Sequence, residues 1–447
     1  MHLAVGCENG WIFIWNALTG EKENELQRHE DSVVSVGFSH SGWLLGSSSW
    51  DGQFRLWDVA TGHTVLTTAG WSFQVMFTED DRRIGYVQRG RNTGSLELTP
   101  SSFFYRLNCK ASALRGSYST DVSPDGRLVA AVFSGGVRIW ADQRTEEPCL
   151  LPLPASSCYS VIFAPDGTNL ITCGRSGLAR WPIRRISGTL SDELRIGPRE
   201  TIRDGLDFNY AVLSMDGRWV AAANPGFEAV SIYELRDPTN CFALDSQPQA
   251  QFPAISPDGR WVAAGNWKGS GVKVWDFESK REVCALPTPS TAWVGFSPDN
   301  RWVLTAGASY DLWETGSWKH KHKITVPGSE ALSLPFDFSP DAITLAIMRE
   351  RGVIQLVVAE TGEVLAKLEA PRAANISYLR FSPDGSRLFA LEWDQQVQVW
   401  DLRRIRAELG KLNLDWNAPP IPAEAAGPEP VAKPLRISIA ETVSPEP

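Results

Sequence analysis

Short apolar runs, some broken by alternating polar residues, follow one another along almost the whole chain. Tyr159-Ser160-Val161-Ile162-Phe163 is one, and Leu128-Val129-Ala130-Ala131-Val132-Phe133 is another. Runs of this length, rich in β-branched and aromatic residues and bounded by turn residues, predict strands. Helical spacing is confined to the segment 402–412, where Leu402, Ile405 and Leu409 share one face and Arg403, Arg404 and Arg406 lie off it. Between the predicted strands one turn recurs. It reads Ser123-Pro124-Asp125-Gly126, Ala164-Pro165-Asp166-Gly167, Ser214-Met215-Asp216-Gly217 and Ser256-Pro257-Asp258-Gly259. It continues as Ser297-Pro298-Asp299-Asn300, Ser339-Pro340-Asp341-Ala342 and Ser382-Pro383-Asp384-Gly385. Proline suits the second position of a type I turn, and glycine takes the left-handed position that closes a hairpin.

The first residues of these turns stand at 123, 164, 214, 256, 297, 339 and 382, so successive steps are 41, 50, 42, 41, 42 and 43. A period near 42 fits one four-stranded propeller blade per repeat. A second mark falls about 15 residues after each turn. It is an aromatic residue near the end of a strand, often followed by Asp: Trp57-Asp58, Trp275-Asp276 and Trp400-Asp401, with looser forms at Trp15, Trp140, Trp181, Trp313 and Tyr233. Trp43, Trp219, Trp261 and Trp302 share another slot, at the start of the strand after the turn. A slot filled repeatedly by Trp predicts packing between blades, not a series of active sites.

The two marks together resemble the WD-repeat family of β-propellers, over residues 1–402. The resemblance implies an all-β fold of four-stranded antiparallel blades, labelled a to d from the axis outward. Residues 103–402 hold seven repeats in the order d-a-b-c, from the strand Phe103 to Leu107 to the strand Gln396 to Trp400. In such rings an early d strand pairs with the last a-b-c unit, so a seven-bladed ring over 103–402 is expected, with both sheet edges removed. Residues 1–102 are then a remainder. They carry b, c and d strands (Leu3 to Val5, Trp11 to Trp15, Asn24 to Leu26), a full repeat and a degraded one from Phe73 to Leu98. An incomplete upstream propeller, in a chain that is a fragment of a larger multidomain protein, is the expectation. The resemblance also implies a structural set of His29, Ser49, Asp51 and Trp57 in one repeat. A His–Asp catalytic pair is the rival reading, but no nucleophile with an oxyanion site accompanies it.

The ending is separate. A helix over 403–416 is expected to pack on the propeller, with Trp416 as its anchor. Residues 417–447 carry eight Pro and little apolar content, which predicts disorder, apart from Leu435-Arg436-Ile437-Ser438-Ile439 as a short docking strand. The run from Trp400 to Pro420 resembles the C-termini of WD-repeat regions in large bacterial proteins, including ones with an N-terminal serine/threonine kinase domain. No Gly-rich phosphate loop, His-Arg-Asp or Asp-Phe-Gly motif is present in this chain.

Composition narrows the function. A net charge of −9 argues against general nucleic-acid binding. Seven Cys without paired short spacing suggest a reducing compartment. Cys7 and Cys173 read as small buried residues of b strands. No signal peptide and no apolar run of membrane-spanning length is visible, so a cytoplasmic monomer is expected, with neither membrane nor cofactor. His320-Lys321-His322 places two rings on one strand face, but Lys319, Lys321 and Lys323 surround it with positive charge, which favours a solvated outer strand over a metal site. There is no Gly-x-Ser-x-Gly elbow. The first functional expectation is therefore a non-catalytic scaffold that takes a protein or peptide on the face carrying the b–c and d–a loops. Arg175, Asn266, Trp267, Lys268, Arg349, Arg351, Arg372 and Trp393 lie there. The alternative is a small-ligand or enzymatic propeller with a site in the central channel. That would need converging polar groups on the inner strands, which instead read Val33-Val34-Ser35-Val36 or Val161-Ile162-Phe163 and carry no His.

Overall fold

The computed structural model describes residues 2–440 except 27–28, 60–61, 63, 88–92, 99–102, 108–116, 134–135, 142–147, 152, 154–157, 188–191, 225–228, 245–248, 267–270, 289–290, 327–333, 351, 371–373, 394–395 and 422–434. The described chain is almost wholly antiparallel β-structure in two compact units. One is Met1–Ser102 with Glu369–Ala373, and the other is Phe103–Leu368 with Ala374–Pro447.

In the first unit β1 (His2–Gly6), β2 (Ile12–Asn16) and β3 (Lys22–Leu26) form one sheet. A second holds β4 (Val33–Phe38), β5 (Leu44–Ser49), β6 (Gln53–Asp58) and β7 (Thr64–Ala69). A third holds β8 (Trp71–Phe77), β9 (Arg83–Val87) and β10 (Thr93–Glu97). These sheets fall on the segments read above as a partial, a full and a degraded repeat.

The second unit opens with β11 (Phe104–Leu107). Next comes the sheet β12 (Ser117–Val122), β13 (Leu128–Phe133), β14 (Gly136–Ala141) and β15 (Cys149–Leu151). β16 (Ser160–Phe163), β17 (Asn169–Gly174), β18 (Gly177–Ser187), β19 (Asp192–Ile196) and β20 (Glu200–Arg203) follow. Then come β21 (Tyr210–Leu213), β22 (Trp219–Asn224), β23 (Ala229–Glu234) and β24 (Cys241–Ala243), and β25 (Ala250–Ile255), β26 (Trp261–Asn266), β27 (Val272–Asp276) and β28 (Glu282–Leu286). After these lie β29 (Trp293–Phe296), β30 (Trp302–Ala306), β31 (Ser309–Glu314) and β32 (His320–Thr325), and β33 (Phe336–Phe338), β34 (Thr344–Glu350), β35 (Val353–Val358) and β36 (Val364–Glu369). The last sheet is β37 (Ile376–Phe381), β38 (Arg387–Glu392) and β39 (Val397–Asp401). β11 completes it, pairing antiparallel with β39 from Phe104 opposite Trp400 to Leu107 opposite Val397. The first strand of the first sheet, β12, lies beside both β16 and β37.

The recurring turn explains why these strands form hairpins. Ser123 Oγ donates to Asp125 Oδ1 at 2.6 Å, the same carboxylate oxygen accepts the Arg127 N–H at 3.1 Å, and Ser123 Oγ accepts the Leu128 N–H at 2.8 Å. Gly126 closes the turn at φ 70°. All of these bonds are made inside six consecutive residues. Ser256, Ser297, Ser339 and Ser382 repeat the set. Ala164 lacks the hydroxyl, and Thr168 Oγ1 reaches Asp166 Oδ1 at 2.8 Å in its place.

The core lies between neighbouring sheets. Trp57, Trp140, Trp181 and Trp275 are among the largest fully buried side chains. One sheet departs from the common plan. β18 is 11 residues long; its first half pairs with β20 and its second half runs on into a hairpin with β19. This hairpin accounts for the 50-residue step in an otherwise 42-residue spacing. Beyond β39, Asp401 caps helix α1 (Leu402–Lys411) by accepting the Arg404 N–H. The tail is not wholly irregular: β40 (Leu435–Ile439) pairs in parallel with β19, from Asp192 opposite Leu435 to Ile196 opposite Ile439. Cys7 falls just past the end of β1, where the strand was expected to include it, whereas Cys173 is buried in β17.

Candidate functional site

The Trp slot is a structural site, and its chemistry is set by strand register. In the first unit Trp57 Nε1 donates to Ser47 Oγ at 2.7 Å, and Ser47 Oγ meets His29 Nε2 at 2.8 Å. His29 Nδ1 meets Asp51 Oδ2, also at 2.8 Å. Ser47, not the expected Ser49, joins His29, Asp51 and Trp57. The reason is pairing: Ser47 lies opposite Arg55, two residues before Trp57, while Ser49 Oγ donates to the Asp31 carbonyl and accepts the Asp51 N–H. With a neutral imidazole protonated at Nδ1, the donors run one way, from Trp57 to Ser47 to His29 to Asp51. Burial holds the His29 pKa below its ordinary value, against the pull of Asp51. His29 is fully buried, so no substrate can reach this His–Asp pair.

The same register position controls the other Trp residues. Thr172 lies opposite Ala179, two before Trp181, and accepts Trp181 Nε1 at 3.0 Å; Thr305 lies opposite Asp311 and accepts Trp313 Nε1 at 3.0 Å. Where the position is Ala131 or Ala264, the indole nitrogens of Trp140 and Trp275 are buried without a hydrogen-bond partner. In the last sheet it is Ala390, and Gln398 serves instead: Trp400 Nε1 donates to Gln398 Oε1 at 3.1 Å, and Gln398 Nε2 donates to Glu392 Oε1 at 2.7 Å. Glu392 is fully buried, and Arg106 of β11 donates to it at 2.9 Å across 286 residues of sequence.

The inner strands of the second unit carry what the sequence reading denied them. Asp121 of β12, Asp337 of β33 and Arg380 of β37 converge, each two residues before the first residue of its turn. Arg380 Nε donates to Asp121 Oδ1 at 2.9 Å, and its Nη1 lies 3.8 Å from Asp337 Oδ1. The second oxygens hold neighbouring sheets: Asp121 Oδ2 accepts the Phe163 N–H at 2.8 Å, and Asp337 Oδ2 accepts the Phe381 N–H at 2.7 Å. Burial pushes the Asp337 carboxyl up to about 6 despite Arg380, and Asp121 holds the Arg380 guanidinium more firmly protonated than usual.

The opposite end of the same strands is aromatic. Tyr118, Tyr159, Tyr210, Phe252, Trp293, Phe336 and Tyr378 each stand three to five residues before the first residue of their turn. Phe252 and Trp293 stack at 4.3 Å, Tyr210 lies 4.6 Å from Phe252, Trp293 lies 5.7 Å from Tyr378, and Tyr118 meets Tyr159 at 5.3 Å. Phe252 is a bulge residue at φ 49°, a strained conformation for an aromatic side chain. Phe252 and Trp293 are buried, while Tyr118, Tyr159, Tyr210, Phe336 and Tyr378 keep part of their surface in solvent. An aromatic residue three to five positions before every turn was the signal for this column, and the sequence reading passed over it.

This aromatic end is the end of the sheets at which the b–c turns lie, because each a strand runs from it toward the Ser-Pro-Asp-Gly turn. Arg175, in the turn between β17 and β18, sits over the Tyr159 ring at 5.9 Å with Nε 3.8 Å from Asp207. Trp393 follows β38 and is 53% exposed, anchored through its N–H to the Asn375 carbonyl at 3.0 Å. Arg349 is half-buried near the end of β34, and Asn266 is buried at the end of β26. Trp267, Lys268, Arg351 and Arg372 lie outside the described residues.

Other chemistry finds little footing. Among the described residues no group of three His, Cys, Asp or Glu is placed to hold a metal ion, and no helix is long and apolar enough to cross a membrane. Burial pushes the Cys158 thiol up to about 12 and Cys173 well above its usual value, which removes both as nucleophiles. His320 bonds Asp311 at 2.9 Å on the outer strand β32. Trp416 lines a cleft of about 400 Å³ with Pro340, Phe381, Leu402 and Pro420. Arg406 lies over the Trp416 ring at 5.2 Å and bonds Asp415 and the Ala418 carbonyl.

Antiparallel four-stranded sheets with a Trp-centred slot and a recurring Asp turn agree with what the WD-repeat resemblance implies. The family described as "WD domain, G-beta repeat" matches residues 20–58 and 362–401, one stretch in each unit. The chain is similar to the periodic tryptophan protein 2 homolog of Schizosaccharomyces pombe, 46% identical over 193 residues that make up 43% of this chain and 20% of that protein. It is similar to WD repeat-containing protein SL1-17 of Schistosoma mansoni, 28% identical over 32% of this chain and 48% of that one. A third relative is the angio-associated migratory cell protein of Homo sapiens, 31% identical over 30% of this chain and 31% of that protein. The matched stretches thus span at most about half the length of these curated relatives. They support the WD-repeat family for this chain, and the relatives named are eukaryotic, not the bacterial proteins its ending resembles.

Proposed function

We propose that residues 103–402 close through β11 into a seven-bladed WD-repeat propeller. We further propose that this propeller is a non-catalytic scaffold taking a protein or peptide on the end that carries the b–c and d–a loops. Residues 1–102 are blades of a separate propeller unit. The observation that carries the reading is the Arg175 guanidinium over Tyr159, at the solvent-facing end of an aromatic column to which every inner strand of 103–402 contributes. Aromatic and Arg side chains held on a rigid sheet supply contact area at low entropic cost. Trp393 and Arg349 extend that surface, and Trp267, Lys268, Arg351 and Arg372, which lie outside the described residues, are assigned to it from the sequence alone. An acidic chain does not attract nucleic acid, and a monomer suits a ring without free sheet edges.

The channel reading, a small-ligand or enzymatic site, is weaker. Asp121, Asp337 and Arg380 converge, but Arg380 Nε and Asp121 Oδ1 bond each other, and Asp121 Oδ2 and Asp337 Oδ2 are taken by the Phe163 and Phe381 N–H groups.

The test is capture of partners by the full chain. Trp393→Ala and Arg175→Glu should each weaken binding about 30-fold, as loss of ~2 kcal/mol at an anchor implies, with the melting temperature unchanged. Trp275→Ala is the contrast, since a core cavity of that size costs ~3–5 kcal/mol. Binding that survives both surface changes sinks the placement of the face.

A further inference from the structure

The strand-addition edge of the β18–β19 hairpin is unlike the outer edges of the other sheets. β19 carries a second partner besides β18 in β40, whose register covers five residues on each strand. Side chains alternate as a docking strand requires. Leu435, Ile437 and Ile439 turn into an apolar cluster with Trp181, Leu194 and Ile196, and with Val137, Ile139 and Leu151 of the neighbouring sheet. Between them Ser438 Oγ bonds Glu193 Oε1, and past the strand the Ala440 N–H donates to the Ile196 carbonyl at 2.8 Å. The hairpin that supplies the edge is the insertion responsible for the long repeat, and the strand that fills it comes from beyond the last repeat. Main-chain pairing gives such an edge affinity, and pockets for alternate side chains give it selectivity.

We propose that the β19 edge is a peptide-binding site for extended segments with aliphatic side chains at alternate positions. Residues 435–440 are its exchangeable intramolecular ligand. The trans occupant with matching chemistry is the same tail of a second copy of this chain. The tail belongs to the same chain, so its binding is intramolecular and outcompetes a second copy at ordinary protein concentration until it is released. The site lies on the outer sheet edge and is independent of the loop face assigned above.

The test uses the full chain and a labelled synthetic peptide with the sequence of residues 433–441. A full-chain Ile437→Asp variant frees the edge, and the peptide should bind it at least tenfold more tightly than it binds wild type. A peptide carrying the same Ile437→Asp change should not bind. Ile439→Ser is the milder release variant if the first fails to fold. Hydrogen exchange on wild type needs no variant. The amides of 436–439 should be protected relative to free peptide, yet exchange at least tenfold faster than those of β17. Absence of peptide binding to both release variants overturns the proposal. So does an exchange rate for β40 equal to that of β17, or equal to that of free peptide.

Discussion

The two stretches that match the WD repeat solve one problem with different parts. Around Trp57 the buried indole N–H is satisfied by Ser47, His29 and Asp51, all within the sheet β4–β7 and the loops beside it. Around Trp400 it is satisfied by Gln398 and Glu392, and the set is completed by Arg106 from β11. The first network stabilises one sheet. The second makes the stability of the last sheet depend on a strand from the start of its unit. The polar groups of the slot are therefore free to vary: the indoles of Trp140 and Trp275 go without a partner, whereas a buried charge such as Glu392 keeps one.

Arg106→Leu tests this most severely. It leaves Glu392 fully buried without its cation, and breaking such a pair costs ~3–5 kcal/mol. Chemical melts of the full chain should show the loss in the second unit alone. Adding Glu392→Met should recover most of it; no recovery would mean that Arg106 acts by packing and not by charge.

Acidification should push the two regions in opposite directions. His29 has its pKa depressed by burial, so its contribution is present above the ordinary His value and is lost as pH falls through the folded one. Asp337 is raised to about 6, above its unfolded value, so its contribution is full below the unfolded value and lost as pH rises through 6. Between pH 7 and pH 5 the sheets joined by Asp337 should gain about 1 kcal/mol while the His29 sheet weakens. Urea melts read by hydrogen exchange at the two pH values separate the units. The gain should vanish in Asp337→Asn, and a common sign in both units would contradict the assignment.

The smallest effect sharpens the register rule. Ala264→Ser offers Trp275 Nε1 the hydroxyl that Ser47 offers Trp57, and should raise stability by about 0.5–1 kcal/mol. A loss in its place would show that this sheet has closed over the position too tightly to admit one oxygen.

What could be read from the sequence follows from how local each determinant is. The turns were legible because Ser123, Asp125, Gly126 and Leu128 bond among themselves, so their chemistry is written in consecutive letters. The strand that pairs with β39 was legible from counting. The long step from 164 to 214 stands out in the spacing, but nothing in it shows the hairpin that causes it or the pairing of β40 with that hairpin. Ser47 and Ser49 could not be told apart, because a run of three serines offers two on the same face and only pairing with β6 chooses between them. The converging charges escaped because Asp121, Asp337 and Arg380 are single residues on separate strands, distant in sequence and meaningful only once the strands are side by side.

The pairing of β11 with β39 has a consequence for synthesis. β11 leaves the ribosome first and its partner residue Glu392 follows Arg106 by 286 residues. At ~5–20 residues per second the segment Phe-Tyr-Arg-Leu waits on the order of 15–60 s for its partner. During that interval the nascent chain carries an unclaimed sticky end, and a transient holder for those four residues would set the yield of folded protein without leaving any trace in the finished molecule.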